Sequence, residues 1–228
     1  MLKVIYRMCG IKSTNPSPWL NDDKFALNKL CLKSFVGAFV EIKPEVHFLM
    51  DFCGDEYKQM VDEVCPFKKT LEFSKLGINQ TMLRAYEIAA EAEDYILMQE
   101  CDYLWVPKTG QLFSEALKEL NIVSPYDHLN FYIDKQIHLE TCEIKLINGY
   151  HFRTTERNTM TWGTHSKIIN QYYELFVRYG YLDDLIWQDL ALEGIKLWVP
   201  VPSLATHLCK NFMAPSINWE KIWKMYQS

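Results

Sequence analysis

The chain has 228 residues, 49% hydrophobic, 14% aromatic and 23% charged, with a formal net charge of −5 at pH 7. That is globular composition with ample material for one core, and the acidic balance without a long basic run excludes a general nucleic-acid-binding surface. No stretch approaches the ~18 apolar residues that span a bilayer, and Met1 leads into a segment too short and too polar downstream for a secretory signal.

Leu2 to Tyr6 reads as a short apolar strand that delivers Arg7 at its carboxyl end. From Gly10 to Asp23 the composition is loop-like, with Ser13, Thr14, Asn15, Pro16, Ser17 and Pro18 clustered. Apolar residues at Phe25, Leu27, Leu30, Leu32, Phe35, Val36 and Phe39 have helical spacing and predict a helix over Lys24 to Phe39. Val46 to Met50 is a second strand, ending in Asp51. A short helix from Asp55 to Val64 is stopped by Pro66, and Thr70 to Phe73 reads as a third strand. Gly77 to Gln80 predicts a turn that opens a helix from Thr81 to Ala92, with Thr81 or Asn79 as its N-cap.

Tyr95 to Met98 reads as a buried strand that ends abruptly in Gln99, Glu100 and Asp102, before Pro107 breaks the continuation. Two acids at i and i+2 beyond such a strand do not serve stability, because burying an unpaired carboxylate costs several kcal/mol. Ligands of open α/β sheets bind beyond the carboxyl ends of the strands. The stretch therefore predicts a divalent cation and a phosphorylated ligand.

A helix over Gln111 to Leu120 and a strand over Ile122 to Ser124 follow, the strand ending in Pro125-Tyr126-Asp127-His128. Asn130 to Asn148 suggests a hairpin-like excursion, and His151 to Thr164 a strand with a functional loop. Trp162 and His165 fit an acceptor cleft, where aromatic faces stack on sugar rings, and equally fit core and rim. Lys167 to Tyr179 predicts a helix ended by Gly180, and Leu182 to Leu192 another, stopped by Gly194. Ile195 to Val201 is the last strand, Ser203 to Asn211 a loop, and Trp219 to Tyr226 a tail helix. Strands alternating with helices through the first ~125 residues point to βαβ units and a parallel sheet, with a mixed second half. One domain over 1–228 is the simplest account. Seven scattered cysteines with no CxxC pair indicate a reducing compartment, cytoplasmic by default.

The ordered set of segments resembles the family-2-like glycosyltransferases with the GT-A fold. It comprises Tyr6-Arg7, Met50-Asp51, Gly77-Ile78-Asn79 with Arg84, Glu100-Cys101-Asp102-Tyr103-Leu104, and Pro125 to His128. It continues with His151-Phe152-Arg153-Thr154-Thr155, Thr159-Met160-Thr161, Leu182-Asp183, and Pro200 to His207. Similar chains form a compact group found in bacteria and large DNA viruses.

The resemblance implies a single α/β domain with a mixed, mostly parallel sheet flanked by helices. In that reading 1–125 bind a nucleotide sugar, 126–210 hold the acceptor and the catalytic groups, and 211–228 form the tail. It implies transfer of a sugar from a nucleotide diphosphate sugar, with UDP favoured, to a carbohydrate hydroxyl, with Mn²⁺ or Mg²⁺ as cofactor. The family's Asp-x-Asp stands here as Glu100-Cys101-Asp102. Asp102 is then the foremost metal ligand, Glu100 acts directly or through water, and His207 completes the metal or diphosphate site. Asp51 matches the acid that contacts the base or ribose, with Arg7 beside it, and Asn79 and Arg84 match positions facing the nucleotide or its diphosphate. His151 and Arg153 are expected at donor phosphate or acceptor. Asp183 matches the base of inverting members, with Asp184 as its rival. The altered acidic motif also admits a degenerate copy that binds nucleotide sugar or glycan as a scaffold. A sugar-phosphate nucleotidyltransferase needs a glycine-rich loop after the first strand, where this chain has Gly10 alone.

Overall fold

The structure, a computed structural model, describes residues 1–12, 16–20, 23–134, 142–158 and 161–227. Strands and helices alternate strictly at the start: β1 (Lys3–Cys9), α1 (Lys24–Phe39), β2 (Glu45–Asp51), α2 (Asp55–Val64), β3 (Lys69–Ser74), α3 (Ile78–Ala90) and β4 (Tyr95–Glu100). These four strands pair in parallel in the order β3-β2-β1-β4. Parallel strands covered on both faces need no polar alternation, which explains the apolar runs Phe48 to Met50 in β2 and Tyr95 to Met98 in β4. After β3 the chain crosses back over β1 to lay down β4. This reversal makes the carboxyl ends of β1 and β4 the natural ligand crevice.

The remaining elements are β5 (Tyr103–Trp105), α4 (Gly110–Glu119), β6 (Ile122–Val123), α5 (Asn130–Ile133), β7 (Ile144–Ile147), β8 (Tyr150–Thr155) and β9 (Trp162–His165). They continue with α6 (Ser166–Gln171), α7 (Tyr173–Tyr179), α8 (Asp183–Leu192), β10 (Leu197–Val201), β11 (Ala205–His207) and α9 (Trp219–Tyr226). The large sheet has the order β3-β2-β1-β4-β9-β6-β10-β8-β7, and β5 pairs with β11 as a separate ribbon. β9 runs antiparallel to both β4 and β6, and the β7–β8 hairpin adds antiparallel to β10. The fold is thus a mixed α/β sheet flanked by helices, parallel through its first half.

A core lies on each face of the sheet. One packs Leu30, Phe35 and Phe39 of α1 with Met60 of α2, Phe113 of α4 and Trp105 of β5. The other packs Met82, Tyr86 and Ala89 of α3 with Trp162, Phe176 and Trp187. Trp105 is fully buried, meets Phe39 and Phe113 edge-on, and donates its indole N–H to Gln99 Oε1 at 3.0 Å. Trp105→Ala is expected to lower the unfolding free energy by about 3–5 kcal/mol, through lost burial and an unfilled cavity, measurable by urea denaturation. A loss below about 1 kcal/mol would contradict this packing.

Several boundaries differ from those predicted. α3 starts at Ile78 rather than Thr81, and its cap position is Gly77 at φ 81 without a side-chain cap. The Thr81 hydroxyl instead donates back to Gly77 O at 2.9 Å, so neither Thr81 nor Asn79 caps the helix. The single helix expected over Lys167 to Tyr179 breaks at Tyr172 (φ −113, ψ 23), and both segments pack on α3. The loop expected over Ser203 to Asn211 contains β11, whose pairing with β5 periodicity could not reveal. Ser13 to Asn15, Thr159-Met160 and 135–141 of the hairpin region lie outside the described residues.

Candidate active site

At the carboxyl ends of β1 and β4, parallel register sets Arg7 opposite Glu100. Arg7 NH1 donates to Glu100 Oε1 at 3.1 Å, while NH2 reaches Ile78 O at 3.3 Å and Thr81 Oγ1 at 3.4 Å. Arg7 thereby ties the start of α3 to the sheet. Asp51, at the end of β2, accepts from Ser74 Oγ at 2.9 Å, Leu76 N at 2.8 Å and Gly77 N at 3.0 Å. It shapes the turn before α3 rather than capping α2, whose cap position is Gly54. Gly10 N donates to Asp51 O at 3.0 Å. A Cβ at Gly10 would lie 2.2 Å from Phe52 O, so only glycine permits this close backbone approach. Arg7, Asp51, Gly77, Ile78, Thr81 and Glu100 line a cavity of about 370 Å³ that also takes in Lys24, Cys101 and Asp102.

The β5–β11 ribbon brings the late histidine to Asp102, on the wall of this cavity. Antiparallel register places His207 opposite Tyr103, next in sequence to Asp102, and Leu208 N donates to Asp102 O at 2.8 Å. The His207 ring stacks on Tyr103 with centroids 5.5 Å apart, which fixes its orientation. Its Nε2 lies 3.5 Å from Asp102 Oδ2, and Lys24 Nζ lies 3.8 Å from the same oxygen.

Burial alone would raise the Asp102 carboxyl, but the charges of His207 and then Lys24 outweigh it and hold it well below the usual range. Reciprocally, burial would lower His207, and Asp102 more than offsets it, so the imidazole lies above its ordinary value. For Glu100 burial wins despite Arg7, and its carboxyl lies above the ordinary range. The buried Cys101 thiol is pushed up to about 11 and stays neutral, unsuited to act as a nucleophile.

A second cavity of about 180 Å³ is lined by Asp183, Asp184, His128, Asn130, Phe131 and Arg157, among others. Asp183 opens α8, and burial, then Asp184, then Glu100 raise its carboxyl to about 7. Glu100, which lines the first cavity, is one of the charges that raise Asp183. Asp184 is exposed, and its N–H donates to Asp183 Oδ1 at 3.1 Å. Burial and then His207 push His128 down to about 4, leaving a neutral ring on the cavity wall.

The structure therefore brings Arg7, Asp51, Glu100 and Asp102 to one cavity, with His207 beside Asp102, and sets Asp183 and Asp184 on a second cavity. It does not bring the other expected donor contacts to either one. Arg84 pairs on the outer side of α3 with Glu72 at 2.9 Å and Glu87 at 2.9 Å. Asn79 is exposed and abuts the turn at Gly180, where a Cβ would meet its Oδ1 at 2.2 Å. Arg153 is held by Asp127 at 2.8 Å beneath the Phe131 ring, bracing the segment after β6. His151 is exposed on β8, opposite Val201. Trp162 is fully buried against Phe176, and His165 packs against Tyr95 at the other end of β4; they are core and rim. Lys24 went unnoticed in the sequence, although a lysine opening a helix, against its dipole, was a usable signal.

Asp102 offers the carboxylate oxygen that Mn²⁺ and Mg²⁺ prefer, and His207 adds an imidazole nitrogen, a donor softer than Mg²⁺ favours. Asp102 Oδ1 is buried and has no hydrogen-bond partner among the described residues. No three His, Cys, Asp or Glu side chains converge into a metal cage among those residues. Cations carried by phosphate need only one or two protein ligands, so the pair fits an ion that arrives with a diphosphate.

No protein-family model matches the chain, and no curated protein sequence is significantly similar to it. Solved structures are similar in fold. A 4-diphosphocytidyl-2C-methyl-D-erythritol synthase from Anaerococcus prevotii superposes with a TM-score of 0.56 at 10% identity, over 100% of this chain and 96% of that one. A putative nucleotide-diphospho-sugar transferase from Desulfovibrio desulfuricans gives 0.51 at 9% identity, over 87% and 78%. An active-site mutant of the galactosyltransferase LgtC gives 0.52 at 12% identity, over 86% and 72%. At such identities the likeness concerns architecture alone. The chain has a GT-A-like α/β fold, the architecture shared by these solved nucleotidyl- and glycosyltransferase structures.

Proposed function

We propose that the chain transfers a sugar from a nucleoside-diphosphate sugar, with UDP the favoured nucleotide, to a carbohydrate hydroxyl with inversion. The observation that carries this reading is the convergence of Asp102 and His207 just beyond β4, with Asp183, on a second cavity, under the influence of the Glu100 charge. Asp102 and His207 would hold Mn²⁺ or Mg²⁺. When bound, the ion supplies a Lewis acid for the diphosphate leaving group. Arg7 anchors Glu100 and the start of α3 beneath that place. Asp51 orders the Ser74–Gly77 turn, and Phe52, 40% exposed, offers an aromatic face on the cavity wall.

Asp183 takes the proton of the acceptor hydroxyl as that oxygen bonds to the anomeric carbon. The bond from that carbon to the diphosphate oxygen breaks, and the nucleoside diphosphate leaves with the electron pair. A base poised near neutral pH suits this step. Calorimetric titration of UDP, GDP and dTDP, with and without Mn²⁺, tests the reading. One nucleotide binding tightly only with metal is the expected result, and no binding of any of them would turn the reading toward a scaffold.

Likeness to a diphosphocytidyl synthase raises nucleotidyl transfer as a second reading. That chemistry needs a triphosphate cradle after β1, where the chain carries Arg7-Met8-Cys9 inside the strand and then Gly10 alone. Pyrophosphate release from CTP and a sugar phosphate would decide in its favour.

A further inference from the structure

Lys24 is the first residue of α1, and its side chain is only 9% exposed. Neither fact favours an ammonium there. A cation at a helix N-terminus opposes the helix dipole, and burial strips it of water. Among the described residues its only ion-pair partner is Asp102, at 3.8 Å. That distance holds charge against charge without a hydrogen bond. Arg7 differs: three hydrogen bonds lock its guanidinium between Glu100 and the start of α3. One cation of the cavity is fixed, and the other is loosely paired on a flexible stem.

The oxygen Lys24 addresses is Asp102 Oδ2, which also faces His207 Nε2 at 3.5 Å. A divalent ion shared by Asp102 and His207 would therefore meet the Lys24 ammonium at close range, in surroundings that screen charge poorly. Conversely, Lys24 leaving Asp102 needs another anion, since a desolvated ammonium without a partner is costly. A diphosphate entering the same cavity meets both needs.

We propose that Lys24 is an exchangeable latch: it competes with a divalent cation for Asp102 and yields it only when a diphosphate gives the ammonium a replacement partner. Metal uptake is then conditional on nucleotide, and Lys24 becomes a phosphate-binding residue in the loaded protein. The inference rests on the donor reading above and assigns the order in which that site fills.

The test titrates Mn²⁺ alone, and inorganic pyrophosphate at saturating Mn²⁺, into the wild-type chain and Lys24→Met, with thermal melts to confirm folding. The latch predicts effects of opposite sign: Mn²⁺ alone binds Lys24→Met roughly tenfold tighter than wild type, and pyrophosphate roughly tenfold weaker. Lys24→Arg, which keeps the charge, should retain wild-type coupling. Both affinities falling together, or Mn²⁺ binding unchanged, would overturn the latch and leave Lys24 a structural residue. If Lys24→Met does not fold, Lys24→Gln takes its place. In the wild type itself, Mn²⁺ and pyrophosphate must strengthen each other by the same factor. Independent binding there overturns the latch without any variant. A wild-type chain that binds neither ligand overturns the donor reading as well, an outcome distinct from the others.

Discussion

Replacing Asp183 with asparagine is expected to leave nucleotide binding intact and to lower transfer about 10²- to 10⁴-fold, the usual contribution of a positioned base. The amide keeps nearly the same shape but cannot take a proton. The pH dependence carries the sign. Burial, Asp184 and Glu100 raise the Asp183 carboxyl to about 7, so the competent, ionised form dominates above that pH. The rate should fall about tenfold per pH unit below about 7 and level off above it. Asp184→Asn separates the two acids. It removes a charge that raises Asp183, so the acid limb should move to lower pH while turnover persists. If Asp184→Asn abolished transfer and Asp183→Asn did not, the two roles would be exchanged.

Asp102→Ala is expected to abolish metal-dependent nucleotide binding, with a loss of affinity of about 10²-fold or more, because it removes the ligand that joins protein, ion and diphosphate. Calorimetry with and without Mn²⁺ reads this directly. The substitution also strips Lys24 and His207 of their shared counter-charge. With Asp102 gone, the imidazole should titrate lower, visible as an NMR shift of the His207 ring signals with pH. Unchanged donor and metal binding in Asp102→Ala would remove Asp102 from the site altogether.

Much of the fold was legible in the chain because it is locally encoded. The apolar spacing from Phe25 to Phe39 marked α1 with its observed limits, and Asp55 to Val64 marked α2. Apolar stretches, Val46 to Met50 with His47 inside and Tyr95 to Met98, located β2 and β4, since strands buried on both faces carry largely hydrophobic sequence. The break at Tyr172 and the early start of α3 were not legible. One serves packing on another helix, and the other uses a glycine cap that leaves no side-chain signature.

For the site, the sequence alone determined that Asp51, Glu100 and Asp102 stand at or just beyond strand ends, whereas Arg7, expected at the end of its strand, lies inside β1, which runs on to Cys9. Which of these meet was decided by tertiary structure. His207 follows Asp102 by more than a hundred residues, and only the β5–β11 pairing sets it 3.5 Å away. Lys24 reaches the same carboxylate because α1 packs beneath β5, a contact no local pattern carries. Arg84 and Arg153 matched their expected places in the chain, yet Glu72 and Asp127 hold them elsewhere. Periodicity tells which side of an element is buried. It is silent about which charges face one another, because partners distant in sequence are chosen by strand order and helix docking, and those are properties of the whole chain.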